Sequence, residues 1–294
     1  MFDPLFQSPR IPILNSVQTF SDHSFALILG ASSGFGGAAA LEMARNGVHV
    51  IGVHLDRAAT MPACERLQEQ IRACDVEAHF FNVNAADADA RAGVLDRVAE
   101  IFAGRPGATV RTMLHSLAFG ALKPFIADEA KEALTQAQVE MTMNVMANSL
   151  VYWTQDVVRR GLMGEGGRIF ALTSAGSHRV LPMYGAVSAA KAALESYCRQ
   201  LAFELGPHEI SVNAIQAGVT DTAALRKIPG ADALVENARS RNPRARLTTP
   251  EDVARLIALL STDAAAWVNA SVITVDGGED AVDVNWLSRE EHAA

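Results

Sequence analysis

The sequence has little of what membrane proteins, nucleic-acid-binding proteins and disulfide-bonded proteins need. No apolar run reaches the roughly 18 residues of a membrane helix, and no basic stretch followed by an apolar core opens the chain. The 25 Lys and Arg residues are outnumbered by 33 Asp and Glu, giving a net charge of -8, so nucleic acid and anionic membrane surfaces are poor partners. The three cysteines, Cys64, Cys74 and Cys198, lack paired metal-site spacing. We expect a soluble, cytoplasmic protein with reduced thiols, no metal and neither nucleic acid nor membrane as a partner.

Hydrophobic residues are abundant, at 49% of the 294 residues. A chain of this size can bury one large core, and α/β domains of this length are often undivided. Apolar strand-like runs alternate with helical patterns along most of the chain. This alternation predicts an α/β fold: a doubly wound parallel sheet of about seven strands with helices on both faces. We interpret residues 25–280 as a single domain, residues 1–24 as an extended arm and residues 281–294 as a tail.

A glycine-rich turn follows the first predicted strand, residues 25–29, and precedes a helix predicted from about residue 36 to 46. Gly30 permits a tight turn, Gly34 lets the backbone approach a pyrophosphate, and Gly36 allows close helix packing. Although this spacing is not the commoner G-x-G-x-x-G, the strand before and the helix after are the expected context of a dinucleotide phosphate loop. The loop residues predicted to bind the cofactor are Gly30, Ser32, Ser33, Gly34, Phe35 and Gly36.

The end of the second predicted strand bears on the choice of cofactor. A carboxylate about 20 residues beyond the glycine loop typically binds the adenosine ribose of NAD and repels a 2'-phosphate, and Asp56 lies 20 residues beyond Gly36. Arg57 and His54 instead offer positive charge to that phosphate. Alternatively, Asp56 caps the helix that follows. The pattern does not decide between NADH and NADPH as the cofactor. It slightly favours NADH, because Ser33 stands where many NADPH-using proteins place Arg or Lys.

Candidate catalytic groups lie in residues 171–199. Tyr184 and Lys191 are seven residues apart in an Ala-rich helical pattern, so both side chains can face the same way. An ammonium group near a phenol favours its acidity, and the unperturbed pKa of a phenol is about 10. Ser174, at the end of the preceding predicted strand, adds a hydroxyl that can point at the same carbonyl oxygen. The alternative interpretation is that Tyr184 only caps a helix and Lys191 is a solvated surface lysine.

Together these motifs resemble the short-chain dehydrogenase/reductase superfamily over roughly residues 25–278, which implies a Rossmann-like fold. The resemblance implies catalytic roles for Asn144, Ser174, Tyr184 and Lys191, although an Asn in an apolar helical stretch more often satisfies local backbone. Lys191 would also hold the ribose of the nicotinamide. The further cofactor-binding residues that the resemblance implies are Asp56, Arg57, Asn82, Val83, Ser116, Leu117, Ala118, Gly218, Val219 and Thr222.

Two departures from the usual pattern of the superfamily point to a particular group of its enzymes. Most members of the superfamily have the tyrosine four residues before the lysine, where this chain has Val187. The Tyr-x6-Lys spacing, and the run from His115 to Phe119, are similar to the enoyl-thioester reductases of fatty-acid synthesis. This similarity implies reduction of a trans-2-enoyl thioester, carried by acyl carrier protein or coenzyme A.

One feature favours a carbonyl reductase instead of an enoyl reductase. The main type of enoyl reductase carries a second tyrosine where this chain has Ser174, and Ser174 and Asn144 resemble ordinary ketoreductases. The combination resembles a less common bacterial enoyl reductase subtype. A 3-oxoacyl or other carbonyl reductase is therefore the alternative enzyme, and a dinucleotide-binding regulator without turnover is the alternative from another class. The superfamily resemblance also implies a homotetramer.

The segment 223–246 resembles the flexible substrate loop of the enoyl reductases. It has six basic residues against Asp232 and Glu236, a local net charge of +4. Since acyl carrier protein is strongly acidic, a basic rim would steer it to the pocket. The alternative is a solvated loop whose arginines pair with nearby carboxylates.

Overall fold

A computed structural model describes residues 20–282 of the protein. Seven parallel strands form one sheet in the order β3-β2-β1-β4-β5-β6-β7. The predicted doubly wound sheet of about seven strands is therefore confirmed. The strands are β1 (Ser24–Leu29), β2 (His49–His54), β3 (Ala78–Asn82), β4 (Thr109–His115), β5 (Arg168–Ser174), β6 (Ser211–Ala217) and β7 (Val272–Val275).

Helices cover both faces of the sheet. On one face, α3, α5 and α6 pack with Leu95, Trp153 and Leu194 in one core cluster. On the other face, α1 and α8 pack with Met43 and Ile257 in a second cluster. The helices are α1 (Gly34–Arg45), α2 (Met61–Arg72), α3 (Ala88–Ala103), α4 (Gln136–Met143), α5 (Ser149–Arg159), α6 (Gly185–Leu205), α7 (Ala231–Arg241) and α8 (Pro250–Leu260).

Strand β1 lies in the interior of the sheet, between β2 and β4, and its sequence is apolar on both faces. All six of its residues are buried, with Phe25, Leu27 and Leu29 in the first cluster and Ala26 and Ile28 in the second. The chain winds outward from β1 to β3 and then returns to place β4 on the other side of β1. The carboxyl ends of β1 and β4 therefore border the switch point where doubly wound folds bind ligands.

The helical stretch that contains Asn144 is interrupted by a π-helical turn. Thr135 caps α4 through a capping box with Gln138, so the helix begins at Gln136. A π-helical turn, Asn144–Asn148, then separates α4 from α5. The substrate-loop segment is also more regular than expected, since it contains a 3-10 turn, Leu225–Lys227, and helix α7.

Most of the predicted arm and tail lies beyond the residues that the structure describes. Residues 1–19 of the predicted arm and 283–294 of the predicted tail lie outside the described residues. Within residues 20–282, no helix has the length and apolar character needed to cross a membrane.

Candidate active site

The glycine loop is held by close backbone contacts between β1, β2 and β4. The amides of Gly30 and Ala31 both donate to the carbonyl of Val53, at 2.8 and 3.1 Å. Gly30 has φ +90, and a Cβ on it would lie 2.5 Å from the carbonyl oxygen of Ser116. A Cβ on Gly36 would overlap the carbonyl oxygen of Gly30. Both positions therefore require glycine.

The third glycine faces open space at the start of α1. Gly34 has φ +55, and the nearest atom to a Cβ there is Cγ2 of Thr222, at 3.9 Å. Ser33, the N-cap residue, makes no side-chain capping bond. The first amides of an α-helix have no intrahelical partner and attract anions. The amides at the start of α1 are thus the groups in this turn that suit the pyrophosphate of a dinucleotide.

Asp56 and Asn82 hold each other at the ends of β2 and β3. The Asp56 amide donates to Asn82 Oδ1 at 2.9 Å, and Asn82 Nδ2 donates to the Asp56 carbonyl at 3.0 Å. The Asn82 amide, expected at the adenine edge, is thus engaged in fixing Asp56. The N-cap of α2 is Thr60, so the interpretation of Asp56 as a helix cap is wrong. Val83 continues the turn by donating its amide to the His54 carbonyl at 2.8 Å.

The Asp56 carboxylate is ionised at neutral pH. Partial burial opposes ionisation, but hydrogen bonds with Ser32, Thr60 and His54 outweigh it and hold the pKa of Asp56 below its usual value. The His54 contact, between Nδ1 and Oδ2, is 2.8 Å long. Arg57 is exposed beside it. An ionised carboxylate at this position favours ribose hydroxyls as partners and repels a 2'-phosphate.

Tyr184 and Ser174 lie together at the end of β5. Tyr184 occupies the N-cap position of α6 but makes no side-chain capping bond, so capping does not account for it. Its ring lies against Gly176, where a Cβ would be 2.9 Å from Cδ1 of the tyrosine. Burial raises the pKa of Tyr184, and a hydrogen bond with Ser174 lowers it in part. The phenol is therefore protonated at neutral pH and able to donate a hydrogen bond.

Lys191 is a buried residue of α6, so the solvated-lysine interpretation is wrong. Its side chain is 5% exposed, and Nζ donates to the carbonyl of Leu172 at 2.6 Å. Burial lowers the pKa of Lys191 to about 8, opposed by the nearby Cys198 and Glu195. The group whose hydrogen bond lowers the pKa of the phenol is Ser174, and the effect of Lys191 on the acidity of Tyr184 stays a prediction.

Asn144 begins the π-helical turn, and such turns occur frequently at functional sites. The turn is anchored to its surroundings at two points. Tyr197 of α6 donates to Oδ1 of Asn148 at 3.0 Å, and Ser149 donates to the carbonyl of Val145 at 2.8 Å. Asn144 is therefore held at a fixed position on the α6 side of the sheet.

His115, which sequence reasoning did not select as a site residue, supports this turn from the end of β4. Its Nε2 lies 2.8 Å from Oγ of Ser149, and burial lowers the pKa of His115 to about 3, so the ring is neutral. Among the described residues, its Nδ1 has no partner. The available sequence signal was a polar residue closing an otherwise apolar strand, which by itself does not distinguish a site residue from a core residue.

The cofactor-binding residues predicted after β4 and β6 line the same edge. The amide of Ser116 donates to the carbonyl of Leu29 at 2.9 Å. Leu117 packs against the first core cluster, and Ala118 is exposed. After β6, the amide of Val219 donates to Oε2 of Glu279 at 3.2 Å. A Cβ on Gly218 would lie 2.8 Å from that of Asp276. Glu279, whose pKa is raised by burial, is a second residue that sequence reasoning missed.

Phe125 and Met183 lie beside the start of α6 at Tyr184, and with three further exposed apolar residues they form what we call the apolar rim. The Phe125 ring packs where a Cβ on Gly185 would otherwise lie, directly after the tyrosine. Met183, directly before it, has φ +60, a strained conformation for this residue. Phe119, Phe125, Ile126, Val180 and Met183 are all exposed. The side of the site that faces Tyr184 therefore suits an apolar substrate.

The basic residues of segment 223–246 are largely paired. Arg226 contacts both Asp221 and Asp232, while Arg246 pairs with Asp252 at 2.6 Å. Arg239 lies 3.9 Å from Glu236, and Arg241 lies 3.5 Å from Glu279. The expected free basic rim is thus a set of ion pairs that includes carboxylates from outside the segment.

The fold and these groups define a class of protein. A glycine-rich turn, an ionised carboxylate and a Ser-Tyr pair with a buried lysine lie at the carboxyl edge of one parallel sheet. This is the arrangement of a nicotinamide-dependent oxidoreductase. The family described as "Enoyl-(Acyl carrier protein) reductase" matches residues 30–279, and the chain belongs to this family of short-chain dehydrogenases/reductases.

Three similar proteins show the range of the family. A 3-oxoacyl-[acyl-carrier-protein] reductase of Pseudomonas aeruginosa is 29% identical over 86% of this chain and 96% of its own length. The structure of a short chain dehydrogenase from Burkholderia cenocepacia in complex with NADP is 30% identical, has a TM-score of 0.72 and covers 87% of this chain and 97% of its own. The structure of an enoyl-[acyl-carrier-protein] reductase (NADH) from Aquifex aeolicus shares the fold at a TM-score of 0.76 and 24% identity, covering 89% and 98%.

Proposed function

We propose that this enzyme reduces the carbon–carbon double bond of a trans-2-enoyl thioester with a nicotinamide dinucleotide, in cytoplasmic fatty-acid synthesis. The observation that carries the proposal is the position of Tyr184, at the N-cap of α6 with its hydroxyl on Ser174 and seven residues ahead of Lys191. A carbonyl reductase needs its tyrosine beside the alcohol oxygen. An enoyl reductase needs it farther along the substrate, beside the thioester oxygen, and the displaced tyrosine fits that need.

A nicotinamide dinucleotide held by the glycine loop, Asp56 and Lys191 would supply a hydride to the β-carbon of the substrate. Negative charge then collects on the thioester oxygen. Tyr184 donates a hydrogen bond or a proton to that oxygen, and its burial makes this interaction strong. Ser174 orients the phenol and offers a second donor. Lys191, in its ammonium form below pH 8, holds the ribose hydroxyls of the cofactor. Asn144, at the start of the π-helical turn, is the remaining predicted catalytic residue.

The second candidate is reduction of a 3-oxoacyl thioester. Ser174 and Asn144 favour it, as does the relative from Pseudomonas aeruginosa, whose name states that activity. The apolar rim around Tyr184 is compatible with either acyl substrate.

The test follows cofactor oxidation with crotonyl and acetoacetyl thioesters of coenzyme A. We expect turnover with crotonyl thioester to exceed turnover with acetoacetyl thioester by at least about tenfold, a difference of about 1.4 kcal/mol in transition-state binding. The reverse preference would assign the second candidate. Tight dinucleotide binding without turnover of either substrate would point to a regulator.

For the cofactor we propose NADH over NADPH. The ionised Asp56 and the absence of a basic residue at Ser33 support this choice, whereas the exposed Arg57 opposes it. Comparison of kcat/KM for the two cofactors tests the proposal. A large preference for NADPH would mean that Asp56 does not face the adenosine ribose in the complex.

For assembly we propose a homotetramer paired through the helices that follow Asn144 and Tyr184. Phe203, on α6, is 79% exposed in the single chain and suits burial against a second copy. Light scattering at micromolar concentration tests this, and a monomeric mass would reject it.

For the substrate carrier we propose acyl carrier protein or coenzyme A, docked at residues 223–246 of the proposed domain 25–280.

A further inference from the structure

Three side chains that can bind a metal converge where β2 meets α2. His54 ends the strand, Asp56 follows it, and Cys64 lies in the first turn of the helix. One ligand atom from each lies within 4.8 Å of the other two, and residues 20–282 contain no other such group of three. His54 is 4% exposed, and Cys64 is completely buried. The cluster is therefore an interior feature and not a chance meeting of surface groups.

The distances are close to those of a tetrahedral zinc site. His54 Nδ1 is 2.8 Å from Oδ2 of Asp56 and 3.9 Å from Sγ of Cys64. Bond lengths of about 2.0–2.3 Å place two ligand atoms on one Zn²⁺ roughly 3.3–3.6 Å apart. For one ion to replace the proton between His54 and Asp56, the Nδ1–Oδ2 distance would lengthen by about half an ångström, and the Nδ1–Sγ distance would shorten by about a third of an ångström.

Burial raises the pKa of the Cys64 thiol, and one neighbouring side chain opposes this effect and favours a metal-bound sulfur. Gln68 Nε2 donates to Sγ of Cys64 at 3.6 Å, and such a contact strengthens when the sulfur becomes a thiolate. The side chain of Asp56 is 14% exposed, which gives an ion a path from solvent. Imidazole, thiolate and carboxylate together select a borderline or soft divalent ion over Mg²⁺ or Ca²⁺.

We propose that His54, Asp56 and Cys64 form a binding site for Zn²⁺ or a similar divalent transition metal, and that the bound metal excludes the dinucleotide. The exclusion rests on the proposed function, since it needs Asp56 as the ribose partner. Coordination to the ion withdraws negative charge from the Asp56 carboxylate, so the ion and the ribose hydroxyls compete for it. The site makes reductase activity sensitive to free zinc.

Cobalt titration of the full-length protein tests the site directly. One equivalent of Co²⁺ should produce a sulfur-to-cobalt charge-transfer band in the near ultraviolet, and Zn²⁺ should abolish it. Cys64→Ser and His54→Gln should each weaken Zn²⁺ binding by more than about 100-fold, because loss of an outer-shell partner alone costs 10–100-fold. The matched control is Cys74→Ser, whose thiol contacts the carbonyl of Gln70 away from the cluster and which should keep wild-type affinity.

The two parts of the proposal fail separately. Absence of the charge-transfer band at stoichiometric Co²⁺, or its persistence in Cys64→Ser, overturns the metal site. Retained binding of NADH by metal-free Cys64→Ser shows that this variant folds. NADH titrations of the wild type should show an apparent Kd that rises in proportion to free Zn²⁺, and no rise in Cys64→Ser. A bound metal with unchanged NADH affinity overturns the mutual exclusion but leaves the metal site in place.

Discussion

The glycine loop and the segment proposed to cover the substrate are built in opposite ways. In the loop, Gly30 and Gly36 touch backbone oxygens so closely that no side chain fits. In the segment 221–246, Arg226, Asp221 and Asp232 interact through exposed, flexible side chains. The cofactor end is thus fixed by main-chain geometry and tolerates little change, whereas the substrate end is held by surface ion pairs that contribute little stability and can be exchanged.

This difference matches the chemistry of the two ligands. A dinucleotide presents the same pyrophosphate to every enzyme that binds it, so a rigid cradle of amides serves one purpose. Acyl substrates vary in length and carrier, and a segment held by side chains can adapt to them. The contrast predicts that substitutions at the loop have larger effects than substitutions of comparable size at the segment.

The largest effect is expected for Gly36→Ala. A Cβ there overlaps the carbonyl oxygen of Gly30, which is backbone and cannot rotate away. We expect loss of saturable NADH binding and a fall of about 3 kcal/mol in the free energy of unfolding. Denaturant unfolding and NADH fluorescence titration measure both quantities.

Gly93→Ala is the matched control. Gly93 lies in α3, where a Cβ would meet no atom within 4 Å. Since alanine has the higher helix propensity, this variant should be more stable than the wild type by about 0.5–1 kcal/mol and should bind NADH normally. Wild-type NADH affinity in Gly36→Ala would refute the rigid-cradle description.

The next effect, on turnover alone, is expected for Tyr184→Phe. Removal of the hydroxyl should reduce kcat by about 10²–10⁴-fold, the usual contribution of a positioned acid, and leave the Kd of NADH within about twofold. Tyr152→Phe is the control, because Tyr152 lies on α5 with its ring beside Arg91. Equal losses in the two variants would mean that the phenol of Tyr184 has no special role.

The sequence predicted the sheet and the glycine loop because both depend on local patterns. Alternating apolar strands and helices define the winding order, and Gly30, Gly34 and Gly36 follow directly from their spacing. The partners of Lys191 and of the arginines in segment 223–246 were not predictable. Seven-residue spacing places Tyr184 and Lys191 on one face, but the Leu172 carbonyl and Asp252 are contributed by distant elements. Likewise, Glu279 reaches Val219 across 60 positions of sequence.

A smaller, pH-dependent effect on stability is expected for Lys191→Met. Because the pKa of Lys191 is about 8 in the folded protein and 10.5 normally, the unfolded chain binds the extra proton between these values. The contribution of Lys191 to the free energy of unfolding of the wild type is therefore lowest below pH 8. It rises as the pH increases from 8 to 10.5. The stability of Lys191→Met relative to the wild type should fall by on the order of 2–3 kcal/mol between pH 7 and 10.

Urea unfolding at the two pH values measures this change, and the difference between variants removes the contributions of other titrating groups. Lys131→Met is the control, because Lys131 is exposed in its pair with Glu129 and should show no such trend. A relative stability of Lys191→Met that does not change with pH would contradict the burial of a charged lysine.

The smallest effect is expected for Lys227→Glu, in the covering segment. Because four arginines of this segment are paired with carboxylates, the field that reaches acyl carrier protein is modest. We expect KM for an enoyl-acyl carrier protein to rise by about twofold to fivefold, less so with added salt, and KM for a short enoyl-CoA to stay constant. Lys131→Glu tests whether any exposed charge reversal has this result. An equal rise for both substrates would mean that Lys227 shapes the segment and does not recognise the carrier.

The central claim is that hydride reaches the β-carbon of an enoyl thioester. Its most direct measurement uses NADH deuterated at the transferred C4 position, with an equimolar mixture of crotonyl-CoA and acetoacetyl-CoA, and mass spectrometry of the products. Our account predicts butyryl-CoA with one deuterium on the β-carbon as the main product. Deuterium found instead on the carbinol carbon of 3-hydroxybutyryl-CoA, with crotonyl-CoA left unreacted, would contradict it.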